Sequence, residues 1–137
     1  MNTLRRCIGS VLGGGALLVI NPACADQGPA VGDCSSLPVA VSPGTFPTFS
    51  WDAACRVEAV IVALPGPGAV VWVAVSVDQS NSIASPVVYA STPAGAAMTA
   101  NLVQYLVAGT TYEVTLLRRA DGPGGQIEGA GAATFVP

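Results

Sequence analysis

The chain has 137 residues, 51% of them apolar and 9% charged, with a formal net charge of −3 and no histidine. That length fits one domain, and so apolar a composition excludes a disordered chain. Without histidine the commonest general base, the commonest metal ligand and any Ser-His-Asp arrangement are gone, and with arginine as the only basic residue, five in all, there is no basic face for nucleic acid.

Residues 1–25 have the three parts of an export signal. Arg5 and Arg6 charge its start, residues 8–20 are an apolar run, and Ala23-Cys24-Ala25 sets small residues before a cleavage point at Asp26. The run is shorter than the roughly 20 residues that cross a bilayer, so no transmembrane helix is expected in the mature chain. Cys24 also has the place of a lipidated cysteine, although Asn21 stands where such sites usually carry leucine. Arg5-Arg6 echoes a twin-arginine signal, but Leu4 replaces the expected Ser or Thr. The expected destination is therefore the periplasm, the cell surface or the extracellular space. Cleavage removes Cys7 and Cys24, and the remaining Cys34 and Cys55 are expected to form one disulfide, as exported chains favour.

Residues 26–36, rich in glycine, proline and serine, read as a flexible lead-in to a domain over residues 37–137. A first strand is expected over 37–41, where Pro38 asks for an edge position. A second follows over 46–51, with Phe49 and Trp51 on one face. The third, 56–64, and the fourth, 69–77, flank the turn Pro65-Gly66-Pro67-Gly68. Both are apolar on both parities, so alternation does not say which face turns inward. A short fifth strand is expected over 86–90, a surface crossover over 91–99 and another short strand within 100–106. Residues 110–118 alternate cleanly, with Tyr112, Val114 and Leu116 sharing one face. Residues 120–125 are a hairpin tip, and 126–136 a closing strand. About seven strands at this spacing make an all-β sandwich.

The segment Leu106-Val107-Ala108-Gly109-Thr110-Thr111-Tyr112-Glu113-Val114 resembles the L-x-P-G-T-x-Y-x-V segment of fibronectin type III and related immunoglobulin-like domains. The resemblance implies that Leu106 plugs the core, that Gly109 turns the chain between sheets, and that Tyr112 forms a corner with its hydroxyl bonded back to the backbone. Pro47-Thr48-Phe49-Ser50-Trp51 is similar to the family's second strand, which ends in a core tryptophan. Ala108 replaces the usual proline, the third strand lacks the usual tyrosine, and a Cys34–Cys55 bridge is not a general feature of the family. Arg119-Ala120-Asp121-Gly122 is not the adhesive R-G-D tripeptide. The chain looks like a bacterial secreted or lipoprotein member of the group.

Other residues invite functional readings. Phe49, Trp51 and Tyr112, with Val114 and Leu116, fit a core better than a ligand platform. Trp72 and Tyr89 could instead present an aromatic face, as sugar-binding sandwiches do. Asp78-x-Ser80-x-Ser82 imitates the start of a calcium loop, but Ile83 and Tyr89 stand where an EF-hand needs glycine and glutamate. Asp52, Glu58, Asp78, Glu113, Asp121 and Glu128 could in principle supply a glycosidase pair; on loops and solvent faces they serve solubility instead. Residues 122–125 are glycine-rich, but no lysine or helix follows to hold a phosphate. The expectation is thus a non-catalytic exported module of the envelope or extracellular space that binds or spaces other molecules, protein or polysaccharide. No catalytic residue, cofactor or metal is expected. The alternatives are a small carbohydrate-binding sandwich and, behind it, a hydrolase of unrecognised type.

Overall fold

A computed structural model describes residues 33–137. The export signal and most of the lead-in fall outside the described residues. Within them the regular elements are eight strands: β1 (Ala40–Val41), β2 (Thr48–Ser50), β3 (Ala59–Ala63), β4 (Val70–Ser76), β5 (Val87–Val88), β6 (Ala96–Asn101), β7 (Tyr112–Arg119) and β8 (Ile127–Phe135). They form two antiparallel sheets, of order β1-β2-β5 and β6-β4-β3-β7-β8.

The β-branched runs that leave the inward face of β3 and β4 open on sequence are resolved by pairing. Val62 opposes Trp72 and Val60 opposes Ala74 on one side, while the same two valines oppose Val114 and Leu116 of β7 on the other. All six are fully buried. This face meets Phe49 and Val87 of the small sheet, also buried. An unbroken aromatic chain joins the layers: Tyr89 lies 5.7 Å from Trp72, Trp72 6.5 Å from Phe49, Phe49 5.6 Å from Phe135 and Phe135 6.0 Å from Tyr112. Such ring spacings add to what area burial alone supplies.

The segment before β1 bridges the sheets. Leu37 is buried, and its N–H donates to the Ala130 carbonyl of β8 before the chain crosses to pair with β2. Gly131 permits this approach, because a Cβ there would strike the Leu37 carbonyl oxygen. Pro38, exposed and outside the ladder, needs no donor. Cys34 and Cys55 form a disulfide with Cα atoms 5.6 Å apart, closing a separation of 21 residues.

Most strands are shorter than expected, β1 being only Ala40–Val41, and the largest displacement is at β6. The stretch expected as a crossover over 91–99 contributes most of β6, and the strand expected within 100–106 ends at Asn101. Ala96 and Ala97 are weak strand formers, but the free edge of β4 offers them a ladder that runs from Ser76↔Ala96 to Trp72↔Asn101. The chain then leaves the edge, and Leu106 turns into the core with none of its surface exposed.

Candidate functional site

Charge is segregated along the sandwich. Asp33, Asp52, Arg56, Glu58, Asp78, Arg118, Arg119, Asp121 and Glu128 all lie at or beyond the end where β3 and β8 begin and β4 and β7 finish. Among the described residues only Glu113 lies toward the opposite end. The charged end is therefore the place where chemistry of ionisable groups could occur.

Its centre is Glu58, only 2% exposed although expected on a solvent face. It shares the parity of Val60 and Val62, whose inward direction carries Glu58 in with them. One carboxylate oxygen lies 3.3 Å from an Arg119 guanidinium nitrogen and the other accepts the Asn81 N–H at 3.2 Å. Arg119 also donates to the Gly125 carbonyl across the β7–β8 tip. Asn81 completes the knot: its side-chain amide donates to the Arg119 carbonyl at 2.9 Å, and its side-chain oxygen accepts the Arg119 N–H at 2.7 Å. A side chain here replaces a neighbouring strand. Asn81 has φ +54°, a left-handed conformation that asparagine tolerates better than most residues. A buried charge with both oxygens engaged satisfies the condition for keeping it inside.

Beside it, the loop after β4 closes on itself. The Ser76 hydroxyl donates to Asp78 Oδ1 at 2.7 Å and lies 2.7 Å from the Ser82 hydroxyl, which in turn lies 2.6 Å from the Gly95 carbonyl. Two hydroxyl protons serve these three contacts. With Ser76 donating to Asp78, Ser82 donates either to Ser76 or to Gly95. Hydrogen bonds from Ser80 and then Ser76 hold the Asp78 carboxyl down at about 2. Arg56 donates to the Ser82 carbonyl at 3.0 Å. The Asp78-x-Ser80-x-Ser82 motif is thus a set of turns bonded to its own backbone. No group of three or more Cys, Asp or Glu side chains converges as metal ligands among the described residues. Asp52 likewise accepts the Ala54 N–H at 2.9 Å in a local turn.

Trp72 and Tyr89, weighed as a ligand face, are 0% and 1% exposed and pack on each other inside the sandwich. Alternation could not reveal this, because both parities of β4 around Trp72 are apolar and Tyr89 follows a strand of only two residues. Burial pushes the Tyr89 hydroxyl up to about 12, with the Tyr112 hydroxyl adding to the shift, and it donates to the Val103 carbonyl at 2.6 Å. Phe49, Trp51, Val114 and Leu116 are core residues. The Trp51 indole N–H donates to the Cys55 carbonyl at 2.8 Å, joining the second strand to the disulfide.

At the opposite end, Leu106 is buried, Gly109 turns with φ +78°, and Thr110 N–H closes the turn on the Val107 carbonyl. Tyr112, 3% exposed, accepts the Val107 N–H on its hydroxyl oxygen at 3.2 Å. An open depression of about 370 Å³ on the outer face of β7 and β8 is lined by Glu113, Ala132, Ala133 and Thr134. Glu113 there accepts a hydrogen bond from Thr115. One carboxylate among alanines offers no paired acid and base.

Compared with protein-family models, with curated proteins and with solved structures, the chain matches none.

Proposed function

We propose that this protein is a non-catalytic exported module, built as a fibronectin type III-like member of the immunoglobulin-like sandwiches, that binds or spaces other molecules in the envelope or extracellular space. The observation that carries the non-catalytic reading is Glu58. It is the most buried acid of the described chain, and burial is what tunes a carboxyl for acid-base work. Yet both of its oxygens are held by Arg119 and Asn81, and the whole cluster bonds to the backbone of the loops that it joins.

Two features support the family reading. Strands β1, β2 and β5 in one sheet, with β3, β7 and β8 neighbours in the other, correspond to A, B, E and C, F, G of the immunoglobulin arrangement. Tyr112 opens β7 and bonds back to Val107, where that arrangement has its tyrosine corner. β6 departs from the pattern, as an insertion that caps the edge of β4. The Cys34–Cys55 disulfide supports passage through an oxidising compartment. Trp72 and Tyr89, being interior, give the carbohydrate-binding alternative no platform.

Purified protein offered ester, peptide and glycoside substrates should turn over none. Turnover that disappears in Asp52→Ala, Asp78→Ala or Asp121→Ala would overturn the non-catalytic reading.

A further inference from the structure

The end opposite the charges is unusual for what it exposes. Phe46, Leu64, Val70, Leu102, Tyr105 and Val107 all keep more than a third of their surface in water, up to 74% for Leu102 and 60% for Tyr105. They come from three chain segments: the turn before β2, the β3–β4 hairpin and the 102–108 loop. Backbone hydrogen bonds draw these together. Leu106 N–H donates to the Thr45 carbonyl and Leu102 N–H to Val71, while Leu64 N–H donates to Ala69 and closes the hairpin. Leu106 is the buried plug of its loop, so Tyr105 and Val107 on either side are turned outward by the same backbone that buries it. The tips are held in place before anything binds, and little ordering cost attends their use.

We propose that the tips of this end insert into the interfacial layer of an electrically neutral lipid surface, and that the domain stands on it with the charged end pointing away. Apolar side chains beside an amphipathic tyrosine suit the boundary between headgroups and acyl chains. The neighbours Thr45, Asn101 and Gln104 can hydrogen-bond to headgroups without a charge to desolvate, while Glu113, the one charge toward this end, lies on β7 opposite Ala63 and has to stay above the inserted tips. The end carries no arginine and the far end is acid-rich, so anionic lipid gives no attraction. A second copy is the competing occupant, and the test below separates the two. Fluid lipid conforms to such tips. The charged end exposes Val77 and Ile127, but among acids and arginines, where the same insertion would bury charge.

The inference gives the non-catalytic module a partner class, and its test reads binding alone, so it can fail while the absence of turnover stands. The protein is sedimented with phosphatidylcholine vesicles, with and without added phosphatidylglycerol, beside Leu102→Asp/Tyr105→Asp and Val77→Asp variants that share its N-terminus. The double variant should lower the partition coefficient by about tenfold or more. Val77→Asp should leave it unchanged, and added anionic lipid should not raise it. In a Phe46→Trp variant, vesicles should shift the new tryptophan's emission to the blue. Equal sedimentation of parent and double variant overturns the proposal. So does binding that needs phosphatidylglycerol or is abolished by salt. A concentration-dependent dimer that the double variant abolishes, with no vesicle binding, also overturns it and assigns the end to self-association.

Discussion

Where β3 begins, the chain is joined by side chains that bond to backbone; where β3 finishes, it is joined by a buried leucine, a tyrosine hydroxyl and close backbone approaches. The first end spends its carboxylates and amides on Asn81, Arg119 and the loop after β4. The second buries Leu106 and leaves its largest neighbours in water. The contrast teaches that surface composition need not follow stability. The charged end is where structure is held by polar contacts, and the opposite end holds itself internally while its tips stay available.

Variants at the two ends should fail differently. Glu58→Ala should cost most, about 3–5 kcal/mol, because removing one partner of a buried pair strands the other charge; urea unfolding measures it. A loss under 1 kcal/mol would mean that the knot is incidental to the charged end. Leu106→Ala should cost about 2–5 kcal/mol through the cavity that it opens at the other end. The size of that loss should not change with salt, which sharpens the contrast with Glu58. Reducing the Cys34–Cys55 bridge should cost about 3 kcal/mol through a loop of 21 residues, read as a shift in the urea midpoint with reductant.

Tyr112→Phe should lose about 1–2 kcal/mol, since the Val107 N–H forfeits its acceptor, with strand content by circular dichroism unchanged. The smallest effect belongs to Asp78→Asn. Asp78 is held at about 2 when folded, against 3.8 ordinarily. Its contribution is present above about pH 4 and fades as pH falls through about 2. The variant should therefore lose less of its stability over that interval than the parent does. A parallel loss in both would show that Asp78 does not carry the acid dependence.

Most strands were legible where one periodicity dominated. Tyr112, Val114 and Leu116 alternate against Thr111, Glu113 and Thr115, and the buried set is the aromatic and aliphatic one. Glu58 was misplaced on a solvent face for lack of such a contrast, since both parities of its strand are apolar and its own polarity pointed outward. β6 was displaced for another reason: alanine and asparagine carry little strand preference of their own, and the free edge of β4 supplied the ladder that selected them. The candidate knot was invisible because Glu58, Asn81 and Arg119 are 23 and 38 residues apart in succession along the chain.

By itself the sequence determined what depends on local backbone preference and on counting. The β-branched runs could only be strands, the Pro-Gly turns could only separate them, and two cysteines remaining beyond the expected signal had one another to pair with. Tertiary structure alone decided what depends on which surfaces meet. It turned Val60, Val62 and Trp72 inward by pairing β3 with both β4 and β7, carried Glu58 in on the same parity, and gave it Arg119 from the far end of β7. It also gathered all the charges of the described residues but Glu113 to one end. Most of these charged residues sit near a strand terminus, but only the antiparallel register places those termini side by side.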